Sequence, residues 1–258
     1  MLHLIRFYSG NGEPTLLYWQ DGKVETSPLS GLEDLSFSPR RACIGWKSPG
    51  SHHVCANSAI NIRQCPTCAA MDVSRAYTVG DFSGYPALYK EASDEEYALY
   101  LAAFGEDIIK CGVTRSERFL ERMREQGADF GCIVAKFQGP DMVYSAEAQL
   151  QSRFMFSNSV RLAQKIRRLD FDSQAARENF ASSLELVRSS GVLPDFSPGI
   201  IDLSGHYPRV HSPHISDSVL GKILGAKGEL LFFRSEFGSD YVVNMRGHVG
   251  HFFERKKE

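Results

Sequence analysis

The chain has 258 residues, 43% of them hydrophobic and 23% charged, with a formal net charge of −2. That length and balance suit one large domain or two to three small ones and exclude wholesale disorder, which needs low hydrophobicity with high net charge. The longest nearly apolar run, 99–104, is too short to cross a bilayer, and residues 1–8 lead into no apolar signal core, so the expected protein is cytoplasmic and has no membrane partner.

In chain order, the first 40 or so residues read as β-structure. Residues 2–8 and 15–19 are rich in β-formers, with a turn at Asp21-Gly22. A stretch of little periodicity, 43–68, holds four cysteines, and residues 72–96 read as a connector. Residues 97–104 and 108–113 read as two strands of a hairpin. Thr114 is placed to cap a helix that Gly127 stops after Gln126, and 130–137 is a third strand. Asp141 is placed to cap a helix to about residue 156, and amphipathic patterns at 160–169 and 173–189 predict two more. Prolines punctuate the chain after Gly191, and four short strands at 219–224, 229–233, 241–245 and 249–254 close it as a β-meander. The organisation expected is 1–90, a zinc-binding β-rich part; 91–192, an α/β domain; and 193–258, a β-rich part that either stands alone or packs with residues 1–42. The fold class is α+β.

The cysteines are spaced Cys43-x11-Cys55-x9-Cys65-x2-Cys68. A Cys-x2-Cys knuckle turns two thiolates toward one ion, and Cys43 and Cys55 complete a tetrahedral set, with His53 or its neighbour His52 as an alternative ligand. A closed four-ligand set points to a structural Zn2+ rather than a catalytic one, because catalysis needs an open position. The competing readings are free loop thiols, a disulfide and an iron–sulfur cluster. Cys111 and Cys132 lie in apolar strands and read as small buried hydrophobes.

On the helix after Thr114, Phe119, Leu120 and Met123 form the expected buried face, with Arg115, Arg118 and Arg122 along its flank. On the next helix, Glu147 falls inside the apolar stripe of Val143, Ala146, Leu150 and Phe154. A carboxylate there needs a partner, either an arginine or a metal. Residues 110–168 hold 11 Lys and Arg against six Asp and Glu. Arg115, Arg153, Lys165 and Arg168 are candidates for a phosphate-contacting surface, which would have to be local in a nearly neutral chain. Three loop histidines (His206, His211, His214) and two flanking the last strand (His248, His251) read as solvent-facing.

The order of Tyr97-Ala98-Leu99-Tyr100, then Lys110-Cys111-Gly112-Val113-Thr114, then an arginine-bearing helix and a helix with one inward glutamate resembles the GIY-YIG nuclease superfamily. The resemblance implies a ββαβα domain with extra helices. It implies that Tyr100 matches the first-strand tyrosine and that Lys110 stands where the second tyrosine would be. It further implies that Arg122, or Arg118, stabilises the attacked phosphate and that Glu147 binds a catalytic Mg2+ or Mn2+. There is no intact GIY or YIG triplet, and no convincing general base replaces the missing tyrosine. The chain as a whole is similar to a prokaryotic family of unknown function (domain of unknown function 2797), through Lys110–Thr114, Glu125-Gln126-Gly127-Ala128 and the glycine-rich 221–253. These resemblances imply metal-dependent hydrolysis or processing of nucleic acid, DNA or RNA. The alternatives are a non-catalytic nucleic-acid-binding or adaptor protein on the same fold, and a protein-interaction module.

Overall fold

Strands dominate both ends of the chain. β1 (Leu2–Tyr8), β2 (Thr15–Gln20), β3 (Lys23–Pro28) and β4 (Leu32–Arg41) come first, then a small hairpin of β5 (Trp46–Ser48) and β6 (Ser51–His53). Two short helices follow, α1 (Pro66–Met71) and α2 (Ser74–Val79). The middle of the chain is α3 (Pro86–Ser93), β7 (Glu96–Phe104), β8 (Ile108–Arg115), α4 (Phe119–Gln126), β9 (Phe130–Gln138), α5 (Pro140–Phe154), α6 (Leu162–Arg167), α7 (Ser173–Ser189) and β10 (Ile201–Asp202). The last strands are β11 (His214–Ser216), β12 (Val219–Lys227), β13 (Leu230–Arg234), β14 (Asp240–Asn244) and β15 (His251–Lys256). The computed structural model describes residues 2–10, 12–157 and 159–256. Its contacts divide the chain into two units, Met1–Tyr85 with Pro213–Glu258, and Pro86–Ser212.

In the first unit nine strands form one sheet, in the order β11-β14-β13-β12-β4-β15-β1-β2-β3. β15 lies antiparallel between β1 and β4, with Leu2 opposite Phe253 and Arg255 opposite Leu35. The N-terminal and C-terminal β-rich parts are thus one sheet, and Leu4, Leu16, Leu35, Val219, Leu231, Phe233, Val243 and Phe253 fill a shared core. Arg255 is fixed by Glu33 on β4 and by Ser27 Oγ at 2.6 Å on β3. Removing one partner of so buried a pair would strand a charge, which is costly. His248 and His251 belong to this unit and are half-buried rather than solvent-facing. His248 stacks on Phe37 at 4.0 Å, and His251 Nδ1 donates to Ser38 O at 2.7 Å.

The second unit is built on an antiparallel sheet in the order β10-β9-β7-β8. Tyr97 through Phe104 on β7 are all buried, because this central strand is covered on both faces. A strand buried on both faces reads as a continuous apolar run, as here. Tyr100, Ala102 and Phe104 face α4 through Phe119 and Met123. On the opposite face Phe130 stacks on Phe180 of α7 at 6.3 Å. α5 buries Val143, Ala146 and Leu150, and α7 starts where Asp172 Oδ1 accepts from Gln174 N and Ala175 N at 2.9 and 3.0 Å.

Several sequence expectations give way here. Residues 72–96 hold α2 and α3 instead of a connector. Thr114 does not cap a helix: it pairs with Ala98 in the sheet, and α4 begins at Phe119 after a single 3-10 turn at Ser116–Arg118. Arg115 is therefore a strand residue, and Leu120 is 39% exposed while Gln126 takes its place on the buried face. Gly139, not Asp141, precedes α5. Residues 193–212 join the central unit instead of the C-terminal part. Ile201 pairs with Gly131, and Tyr207 Oη donates to Ala128 O at 2.8 Å.

Candidate metal centre and the polar cluster around Tyr100

The four cysteines arise from elements too short to fold on apolar burial alone. Cys43 follows β4, Cys55 follows β6, and Cys65 and Cys68 sit at the entry and in the first turn of α1. All four are buried, and their Sγ atoms lie within 4.8 Å of one another. Cys55 Sγ and Cys65 Sγ are 3.8 Å apart. Two thiolates about 2.3 Å from one tetrahedral Zn2+ are separated by about that distance, whereas a disulfide holds its sulfurs at about 2.05 Å. Backbone N–H groups of Cys65 and Gly45 point at Cys43 Sγ at 3.2 and 3.5 Å, the arrangement that stabilises a thiolate. The amide of Cys68 draws the Cys65 thiol down to about 7. Gly45 adopts φ +87°, and a side chain there would collide with the carbonyl of His53. These cysteines could hold a structural metal ion such as zinc.

Neither histidine belongs to this set. His53 stacks on Trp46 at 4.1 Å with its Nε2 at 2.8 Å from Ser48 Oγ, and His52 Nε2 lies 2.7 Å from Ile44 O. The short β5–β6 hairpin turns His53 onto the side chains of Trp46 and Ser48 and His52 onto the Ile44 carbonyl, which the sequence spacing did not reveal.

The second cluster is assembled by sheet register. Tyr100 on β7 lies opposite Gly112 on β8, and Lys110 opposite Ala102, so Tyr100, Gly112 and Lys110 share one face of the sheet. The Tyr100 ring passes directly over Gly112: a Cβ there would come within 2.6 Å of Tyr100 Cζ and closer still to the hydroxyl. On α4, Gln126 Nε2 donates to Tyr100 Oη at 2.6 Å. Arg122, one turn earlier, lies against the same hydroxyl. Burial works against the Arg122 charge, but Tyr100 and Glu125 outweigh it, and Glu125 accepts from Arg122 Nη1 at 3.1 Å. Arg118 is held by Glu121 at 2.8 Å and by Glu125 at 3.2 Å, the carboxylate that it shares with Arg122. Of the two candidate arginines, Arg122 is the one placed beside Tyr100.

Lys110 and Glu147 close the cluster. Burial, with Arg122 and Lys165 nearby, pulls the Lys110 amine down to about 8, while Glu147 pulls the other way. Burial raises the Glu147 carboxyl, opposed by Lys110. Glu147 Oε1 accepts from Gln151 Nε2 at 3.1 Å, and among the described residues it has no ion-pair partner. A carboxylate inside an apolar stripe thus feels the Lys110 charge, with no arginine paired to it among the described residues. Burial also pushes the Tyr100 hydroxyl upward, so at neutral pH it is a phenol.

One family model, described as a protein of unknown function (DUF2797), matches residues 34–253. The chain belongs to this family. No curated protein and no solved structure matches it. The DUF2797 match contains the four cysteines and every residue of the Tyr100 cluster.

The basic residues of this DUF2797 chain are placed unequally. Lys165 is 8% exposed and donates to Gln126 O at 2.7 Å, so its ammonium caps the end of α4 and is not a surface phosphate contact. Arg168 is gripped by Asp107 at 2.5 and 2.7 Å, and Arg115 by Glu95 at 2.7 Å. Arg153 is exposed, over the Phe154 ring at 5.9 Å. Gln126, which the sequence placed in the Glu125-Gln126-Gly127-Ala128 motif without a role at the site, is the further member of the cluster. Its place one turn beyond Arg122, on the face that carries Met123, was the available signal.

Proposed function

We propose that the Pro86–Ser212 unit is a metal-dependent nuclease of GIY-YIG type that hydrolyses phosphodiester bonds in DNA or RNA, with the four-cysteine segment as an accessory zinc-held element. The observation that supports this reading is the grouping of Tyr100 and Lys110 on β7 and β8 with Arg122 on α4 and Glu147 on α5, with Glu147 lacking an ion-pair partner among the described residues. The element order β7, β8, α4, β9, α5 agrees with the resemblance seen in the sequence.

In this reading Arg122 binds a non-bridging phosphate oxygen and holds it while negative charge builds there. The Tyr100 phenol hydrogen-bonds the same phosphate group. Lys110, in its neutral form, takes a proton from the attacking water. Glu147 fits a hard cation, because Mg2+ or Mn2+ is held by one or two carboxylates with waters and substrate oxygens filling the other positions. When bound, such an ion supplies charge neutralisation at the phosphate and leaving oxygen. Exposed Arg153 offers a phosphate contact outside the cluster. A binding protein without catalysis is the second reading, favoured by Lys110 at the position of the second tyrosine.

The deciding experiment incubates zinc-loaded protein with labelled single- and double-stranded DNA and RNA in Mg2+ or Mn2+, beside Glu147→Ala and Arg122→Ala. Cleavage lost in both variants is the expected result. Binding in EDTA without cleavage by the unaltered protein would favour the second reading. Neither binding nor cleavage would end the nucleic-acid reading for those substrates.

A further inference from the structure

We infer that Gln126 is a positioning residue that fixes Tyr100 as a hydrogen-bond donor, so that the Tyr100 phenol hands its proton toward a bound anion instead of accepting one. This rests on the nuclease reading only for the identity of that anion, a phosphate group.

A phenolic oxygen has one proton to give and lone pairs that accept. The Gln126 amide donates to Tyr100 Oη at 2.6 Å, and the Arg122 guanidinium, a donor only, lies against the same oxygen. That hydrogen bond occupies the accepting side of the oxygen, with the Arg122 charge beside it. The phenolic proton must then point away from Gln126, and the ring leaves no room for a side chain at position 112. Gln126 is 8% exposed, so its hydrogen bond to Tyr100 lies away from bulk water and its loss is not freely made good there.

Gln126 is itself anchored through a different atom. Its carbonyl oxygen accepts from Lys165 Nζ at 2.7 Å, and Gly127 follows in the left-handed region at φ +71° to end the helix. The backbone of Gln126 therefore ties α4 to α6, while its side chain ties α4 to β7. A substitution of the side chain leaves the Lys165 bond in place, which allows the two jobs to be separated.

The test uses the full zinc-loaded chain carrying tyrosine labelled with carbon-13 at Cζ, with the Tyr100 resonance assigned by Tyr100→Phe. The variants are Gln126→Leu, which removes the donor at similar volume, and Gln126→His, which restores one. The expected result is a displaced Tyr100 resonance in Gln126→Leu that returns toward the unaltered position in Gln126→His. On a cleavable substrate, kcat should fall about tenfold in Gln126→Leu with KM changed less than about twofold, and recover in Gln126→His. A Tyr100 resonance that does not move in Gln126→Leu, while the variant retains zinc and its thermal midpoint, would overturn the inference. So would a Gln126→His variant that resembles Gln126→Leu. If the unaltered chain cleaves nothing, the nuclease reading fails, and the resonance alone decides the role of Gln126.

Discussion

The four-cysteine segment and the Tyr100 cluster are opposite solutions to placing polar groups inside a small protein. The cysteines form a closed set: four donors, mutually within 4.8 Å, in a segment with two short helices and a hairpin of two three-residue strands around them. The Tyr100 cluster is an open set on a well-packed frame. Its sheet and helices are held by Phe119, Met123, Phe130 and Phe180, and among the described residues its Lys110 and Glu147 form no ion pair, whereas Arg122 pairs with Glu125. Where ligands saturate one another, the group serves folding. Where a rigid core holds charges short of neutralisation, the surplus is available for a ligand.

Stripping the metal should give the largest effect. Structural zinc sites carry apparent binding energies of about 10–16 kcal/mol, and that energy is folding energy for their segment. A strong chelator or Cys68→Ser should unfold the region around 43–71. Metal content and the fluorescence of Trp46, stacked on His53, would report it. The comparison breaks if the thiols are all freely titratable and Trp46 is indifferent to chelation.

Next comes the frame of the second cluster. Phe180 is fully buried on α7, and Phe180→Ala should cost about 3–5 kcal/mol, measured by urea unfolding of a probe in the second unit. Zinc content should not change, since the two units have separate cores. Loss of zinc in this variant would show that the two regions are not the independent solutions described above.

On the proposed nuclease reading, the pH dependence of cleavage tests the role of Lys110. Its amine is drawn down to about 8, so the neutral form grows as pH rises through that value. Cleavage should therefore increase with pH to a plateau with a midpoint near 8, and Lys110→Arg, which stays protonated, should lose the rise. A rate independent of pH between 6 and 9 in the unaltered protein would remove Lys110 as a base. The smallest effect is expected at Arg168, whose pairing with Asp107 is largely exposed on the carboxylate side. Arg168→Ala should change stability by under about 1 kcal/mol, and a clearly larger loss in thermal unfolding would mean that this residue braces α6 beneath Lys165.

Much of the second unit was legible because its signals are local. The unbroken apolar run of β7, the short gap of the β7–β8 hairpin and the Gly127 helix stop all lie within a few residues of what they determine. The cysteine set was legible because thiol spacing in a segment without periodicity has few other meanings. What escaped was non-local. α2 and α3 are only six and eight residues long, and helices of that length depend on tertiary packing more than on propensity. The nine-stranded order depends on which distant strands meet, and no window of sequence contains β1, β15 and β4 together. Lys165 looked like a surface cation because its partner, the carbonyl of Gln126, is a backbone atom 39 residues away. The histidines beside Cys55 looked like ligands until the hairpin turned them onto Trp46 and Ile44.

The position of β15 between β1 and β4 also sets a timetable for biosynthesis. β1 and β4 are made first, yet the neighbour that joins them follows the end of β4 by about 210 residues. At about 5–20 residues per second that wait is roughly 10–50 s. During it, β1 and β4 present unpaired edges, while the intervening Pro86–Ser212 segment emerges with all its own partners. A nascent chain stalled before residue 251 should therefore bind holding chaperones through its N-terminal strands and release them once the last strand emerges.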